Sequence, residues 1–268
     1  MRNVILLRFL IFVSVLAFST FLIGFGLAVK DLLMPTASPL PSLGVGGEKP
    51  SSEKDTLTIV SLGDSLTRGV GDGEGKGYVG RVVDRLKSIE KRKVSVTNLA
   101  VSGATSQDLI KQLSVPGVRY AISEADILFL TIGGNDLNPG FEKLDKMDPT
   151  HFIGDLSAFV TRGKKILAEI RDVNPDAPLF WLGLYNPFED VLPGTNRTIL
   201  AWNRQMEDLS LSVRSVYFVP LFDLFHQQTG RMLYSDHFHP NSKGYEAISI
   251  RLSSVLINVL GTGGGEKH

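Results

Sequence analysis

The chain of 268 residues has no cysteine, which removes disulfides, thiolate metal sites and a thiol nucleophile together. A cysteine-free chain is indifferent to redox poise, so this absence assigns no compartment. Net charge is missing too, since 28 basic residues balance 28 acidic ones. That balance gives no electrostatic reason to expect a nucleic-acid partner, and none is expected. The glycine-rich stretch 69–77 (GVGDGEGKG) lacks the spacing of a phosphate loop, because Val70 and Gly77 stand where Gly and Ser/Thr are required. Its Asp72 and Glu74 do not open a calcium loop, because Val83 stands at the position that needs a Glu.

What the chain does have begins at the N-terminus. Residues 9–29 form 21 consecutive uncharged positions, dominated by Phe, Leu, Ile, Val and Ala. At about 1.5 Å per residue such a run crosses a hydrocarbon core of roughly 30 Å. Arg2 and Arg8 precede it and Lys30 follows. An uncleaved anchor is favoured over a cleaved signal peptide, whose apolar run is shorter and ends at a small-x-small site that Leu27-Ala28-Val29-Lys30 does not offer. Under either alternative the rest of the chain is expected outside the cytoplasmic membrane. Residues 1–33 are thus assigned to the anchor or signal, and the Pro-, Ser- and Gly-rich residues 34–56 to a flexible linker. Residues 57–260 form the expected domain, and the Gly-rich residues 261–268 a disordered tail.

Within the domain, short apolar runs alternate with amphipathic ones. Runs 57–62 (LTIVSL), 94–99 (VSVTNL), 127–132 (ILFLTI), 179–184 (LFWLGL) and 216–219 (VYFV) suit strands buried on both faces of a parallel sheet. Helical spacing is expected over 78–91, 106–113, 150–173, 196–213 and 241–260. In the last of these, Tyr245, Ile248, Leu252, Val255, Leu256 and Val259 make one apolar face. This alternation predicts an α/β domain with helices on both sides of the sheet. Ligand sites in such sheets lie beyond the carboxyl ends of the strands. Trp181 and Trp202 are expected in the core, and Asn196 as a helix cap.

The chemistry-bearing residues follow the runs. Gly63-Asp64-Ser65-Leu66 comes after the first, a segment ending in Ser102-Gly103 after the second, and Gly133-Gly134-Asn135-Asp136 after the third. A lone Ser between strand and helix is usually a cap. A serine nucleophile needs a base within hydrogen-bond reach, itself oriented by a third group. Asp236 and His239 stand three apart before the last helix, which Pro240 is expected to open. His237 is the rival base, but adjacent side chains on an extended segment diverge, so His239 is favoured. His151 opens an expected helix, His226 lies in an unassigned loop and His268 in the tail, and none of the three is followed by a Pro that could open a helix. Backbone N–H groups of Ser65 and Gly103 and the side-chain amide of Asn135 are candidate donors to an oxyanion.

Those four ordered blocks, Gly63-Asp64-Ser65-Leu66, Gly103, Gly134-Asn135-Asp136 and Asp236-x-x-His239-Pro240, resemble the SGNH (GDSL) hydrolase family over about residues 57–260. The resemblance implies a three-layer α/β/α, flavodoxin-like fold, and the N-terminal apolar run adds an expected transmembrane helix before it. It also implies a triad of Ser65, His239 and Asp236, with Ser65, Gly103 and Asn135 as the oxyanion hole. The activity implied is ester hydrolysis without metal or organic cofactor. Asp64, Gly134 and Asp136 are expected to be structural members of the motifs, the two carboxylates accepting from N–H groups in their turns. Expected substrates are lipid or short-chain acyl esters, with acylated envelope glycans as the alternative, and a non-catalytic tethered binding protein as the third possibility. The enzyme is expected to be monomeric and membrane-bound through its N-terminal helix. The stretch 69–77 is read as a mobile loop that helps frame the pocket, and 137–149 and 185–194 as pocket-lining segments.

Overall fold

The computed structural model describes residues 55–137, 155–192 and 194–262. The expected anchor and linker up to residue 54 lie outside this range, as do residues 138–154. Among the described residues no helix is long and apolar enough to cross a membrane.

Five strands form one parallel sheet: β1 (Thr56–Gly63), β2 (Lys93–Asn98), β3 (Ile127–Thr131), β4 (Leu179–Leu182) and β5 (Val216–Val219). Their order, β2-β1-β3-β4-β5, is the flavodoxin-like arrangement, in which the chain changes direction of travel between β1 and β3. The helices are α1 (Ser65–Arg68), α2 (Gly77–Ile89), α3 (Ser106–Leu113), α4 (Pro116–Ser123), α5 (Gly134–Leu137), α6 (Leu156–Val173), α7 (Thr195–Leu211), α8 (Phe222–Phe225), α9 (Thr229–Met232) and α10 (Ser242–Thr262).

Period-two alternation sends successive strand residues into two separate cores. Ile59, Phe129 and Phe180 meet Tyr78 and Val82 of α2 and Tyr245, Ile248 and Leu252 of α10 on one face. Leu62, Leu130 and Trp181 meet Leu109 of α3, Phe159 and Ile166 of α6, and Trp202 of α7 on the other. Both tryptophans are therefore core residues.

Three expectations need correction. β2 is one of the two sheet edges and largely exposed, not buried on both faces: Lys93, Ser95 and Thr97 keep its outer positions polar. The helix expected from residue 150 starts at Leu156, where the Asp155 side chain accepts the Ala158 N–H. Asn196 is not a cap, because α7 starts one residue earlier, after Gly194 in the left-handed region; its amide instead joins Asn186 and Glu189. At the domain ends, β1 starts at Thr56 and α10 runs to Thr262, one residue before and two beyond the expected bounds.

The end of β1 is a tight place. Gly63 has φ +133°, and a Cβ there would lie 2.1 Å from the Thr131 carbonyl oxygen of β3. Only glycine tolerates both the angle and the contact. Gly63→Ala should therefore cost at least about 3 kcal/mol of stability, combining backbone strain with overpacking. Urea denaturation of the variant checks this, and a loss under about 1 kcal/mol would be incompatible with so close an approach.

Candidate active site

The first turn after β1 presents Ser65. Asp64 caps α1 by accepting the Leu66 N–H at 3.0 Å, and Gly69 closes the helix in the left-handed region. Asp64 is buried and also accepts from Thr131 Oγ1 at 2.8 Å. Thr67 and Tyr78 extend that contact, at 2.7 Å from Thr67 to Thr131 and 2.6 Å from Tyr78 to Thr67. Since a carboxylate only accepts, the donors run from Tyr78 through Thr67 and Thr131 to Asp64. Burial pushes the Asp64 carboxyl up, against the hydrogen bonds from Thr131 and Leu66 N–H. These contacts reach across the sheet and are not confined to the turn that holds Asp64.

The histidine arrives on a loop closed at its base. Leu233 and Pro240 form an antiparallel bridge, the Tyr234 N–H donates to the His239 carbonyl at 2.7 Å, and the Asn241 side chain donates to the Arg231 and Leu233 carbonyls. Asn241 also caps α10, accepting from Lys243 and Gly244 N–H. Pro240 thus precedes the helix and does not lie in its first turn. Inside the loop, Asp236 Oδ1 accepts the N–H groups of Phe238 and His239, each at 2.9 Å. Its Oδ2 lies 2.8 Å from His239 Nδ1, and His239 Nε2 lies 2.8 Å from Ser65 Oγ. Burial opposes ionisation of Asp236, but the hydrogen bonds from His239 and from the Phe238 and His239 N–H groups hold its carboxyl below the ordinary range. An ionised Asp236 can only accept, so Nδ1 carries the ring proton and Nε2 is left to accept from Ser65. His237 is exposed, with φ +56°, and takes no part.

From β3, α5 brings Gly134, Asn135 and Asp136. Asn135 Nδ2 donates one hydrogen to the Ala104 carbonyl at 2.9 Å, which leaves its second amide hydrogen for another acceptor. Gly103 sits at φ +78° with open space where a Cβ would be. Among the described residues, no acceptor pairs with the N–H of Ser65 or of Gly103. Asp136 accepts from the Ser106 N–H at 2.8 Å, from the Ser106 hydroxyl and from Arg162 at 3.0 Å. It thereby ties the start of α3, just after the Gly103 turn, to α5 and α6. Ser65, Gly134, Asn135 and His239 line one apolar pocket; Asp236 stands behind His239, and Gly103 is outside the lining. Leu137, Tyr185, Pro187 and Phe188 also line it, from the two expected segments; residues 138–149 lie outside the described range.

Two contributors carried no sequence signal. Tyr185 donates from its hydroxyl to the Phe238 carbonyl at 2.8 Å and stacks on Phe225 at 4.2 Å, bracing the histidine loop from the end of β4. The other is Asp72, which overturns the picture of 69–77 as a mobile pocket loop. No residue from 69 to 77 lines the pocket. The fully buried Asp72 carboxylate accepts from the N–H groups of Glu74, Lys76 and Gly77, from Ser242 Oγ at 2.7 Å and from Arg81 at 2.5 Å. Burial opposes its ionisation, yet the bonds from Arg81, Ser242 and Gly77 hold it far below the usual carboxylate range. The pinned loop backs the histidine: a Cβ on Gly71 would meet His239 Cβ at 2.9 Å. The glycine-rich composition concealed this, because a carboxylate folded back on its own loop has no spacing signature.

Comparison with known proteins shows the family. Residues 61–247 match the model of the GDSL-like lipase/acylhydrolase family. The chain belongs to that family. It is 36% identical over 237 residues to the uncharacterized protein YpmR of Bacillus subtilis, spanning 84% of this chain and 92% of YpmR. It is 29% identical over 206 residues to the spore germination lipase LipC of Bacillus licheniformis, spanning 75% of this chain and 96% of LipC. The crystal structure of the lipase Lip_vut3 from a goat rumen metagenome superposes with a TM-score of 0.66 at 29% identity, covering 74% of this chain and 96% of that one. This family member is a carboxylic ester hydrolase with the three-layer α/β/α fold.

Asp72→Asn should lower stability by about 1–2 kcal/mol at neutral pH, because Arg81 loses its shortest carboxylate partner and keeps only the longer contacts with Glu74 at 3.3 Å and Glu246 at 3.5 Å. A depressed carboxylate stabilises the fold above its unfolded pKa, near 4, and that contribution is lost as pH falls through the folded value. Wild type and variant should therefore converge in strong acid. Equal stability at pH 7 in urea titrations would show that the pair contributes nothing.

Proposed function

We propose that the protein hydrolyses acyl esters of lipid type by two-step acyl transfer, with Ser65 as nucleophile, His239 as general base and Asp236 as the group that orients it. The observation that supports this most is the unbroken hydrogen-bonded run from Asp236 Oδ2 through His239 to Ser65 Oγ, 2.8 Å at each step. Ser65 Oγ attacks the ester carbonyl carbon as its proton passes to Nε2 of His239. Asp236 stabilises the imidazolium that forms. The N–H groups of Ser65 and Gly103 and the free amide hydrogen of Asn135 donate to the oxygen that gains charge. His239 then returns the proton to the leaving alcohol, and later takes one from the water that cleaves the acyl-enzyme. The names of LipC and Lip_vut3, and the apolar pocket beside Ser65, favour an acyl over a carbohydrate specificity.

Turnover of p-nitrophenyl esters should vanish in Ser65→Ala and fall roughly 10²–10³-fold in Asn135→Ala, the usual cost of one oxyanion donor. Ser65→Ala should keep the wild-type unfolding midpoint, and Asn135→Ala, which also loses its bond to the Ala104 carbonyl, should remain folded with a loss of about 1 kcal/mol. A Ser65→Ala enzyme that still turns over would sink the mechanism, and near-normal rates in Asn135→Ala would remove that residue from it.

We also propose that residues 9–29 hold the enzyme at the outer face of the cytoplasmic membrane, on the strength of their length and of Arg2 and Arg8 before them. Full-length mass in the membrane fraction is the expected result. A shortened protein in the medium would replace the anchor with a cleaved signal.

A further inference from the structure

The pocket beside Ser65 is a slot with one closed end. Ser65, Asn135, Leu184, Phe238 and His239 are half-buried, whereas Leu137, Phe188 and Ile199 are only 1–2% exposed. The reacting groups therefore stand at the open end, and three hydrocarbon side chains close the other. The pocket volume is about 60 Å³. By that measure one water-sized group needs roughly 10–15 Å³, so the slot takes on the order of four to six.

Its walls are held from behind. Asn203 Oδ1 accepts the Leu184 N–H at 2.7 Å, and its Nδ2 donates to the Leu184 carbonyl at 2.8 Å. Asn186 accepts the Phe188 N–H at 3.0 Å and donates to Thr195 and Asn196 at the start of α7, the helix that carries Ile199. The slot is thus preformed and its closed end cannot retreat easily.

A closed slot suits the half of the ester that stays. The leaving alcohol must clear the site before water reaches the acyl-enzyme, whereas the acyl group remains on Ser65 throughout. A sugar hydroxyl pushed among Leu137, Phe188 and Ile199 would lose its hydrogen bonds to water and find none in return. We infer that Ile199 sets acyl-chain length, and that the enzyme prefers straight acyl chains of about four to six carbons. This inference rests on the acyl-transfer mechanism proposed above.

The test is a chain-length series of p-nitrophenyl esters, from acetate to dodecanoate, with the full-length enzyme and its Ile199→Val and Ile199→Ala variants. Labelling of Ser65 by a fluorophosphonate probe is followed alongside. Wild-type kcat/KM should peak between butanoate and hexanoate. The optimum should move by about one carbon in Ile199→Val and about two to three in Ile199→Ala, following the hydrocarbon removed. The milder variant keeps the series informative if Ile199→Ala fails to fold. A profile unchanged in folded variants overturns the assignment of Ile199, and a wild-type optimum at acetate overturns the acyl-chain preference. Wild-type enzyme that neither turns over nor labels at Ser65 overturns the acyl-transfer mechanism, and the slot assignment with it.

Discussion

Gly63 and Thr131 pair at the carboxyl ends of β1 and β3 with no room for a side chain between them. Most of the site depends on that approach. It lets the Thr131 hydroxyl reach the buried Asp64 carboxylate, which in turn caps the single helical turn that presents Ser65. It also brings the turn after β3, with Asn135, alongside the turn after β1. These two strands flank the point where the sheet order reverses, and the diverging connections open a crevice there for any protein of this topology. Here the crevice holds the Ser65, Asn135 and His239 side chains together.

The histidine is supplied differently. His239 belongs to no strand end but to a loop whose base is pinched by the Leu233–Pro240 bridge and by Asn241. A loop anchored only at its base could swing, and three contacts from elsewhere prevent this. The Tyr185 hydroxyl holds the Phe238 carbonyl, Gly71 packs against His239 Cβ, and Asp72 fastens the Gly71 segment to α2 and α10. Asp236 contributes inside the loop, accepting two backbone N–H groups with one oxygen while the other faces the imidazole. One carboxylate therefore shapes the loop and fixes the ring.

Much of this was legible in the chain. The continuous apolar runs marked the three central strands, β1, β3 and β4, and the half-buried edge β5, because a sheet covered on both faces admits few polar side chains. The spacing of Tyr245, Ile248, Leu252 and Leu256 marked the buried face of α10 for the equivalent reason in a helix. Run 94–99 misled, since apolar content alone does not distinguish a central strand from an edge; that depends on which strands pair. The stretch 69–77 misled for a related reason. Glycines permit mobility, but whether a loop moves depends on partners such as Arg81 and Ser242, which lie 9 and 170 positions from Asp72.

By itself the sequence determined which groups to propose as reactive and the end of the sheet on which they fall, because the proposed nucleophile, base and oxyanion donors each follow a strand or precede a helix. It also favoured His239 over His237 as the proposed base, since adjacent side chains on an extended segment diverge. Tertiary structure alone decided the 2.8 Å contact between His239 and Ser65, the closed end of the slot at Leu137, Phe188 and Ile199, and the bracing by Asp72 and Tyr185. Those features join residues up to 174 positions apart. Local propensity and periodicity carry no information over that distance, so only the packed sheet and helices bring such groups within a bond's reach.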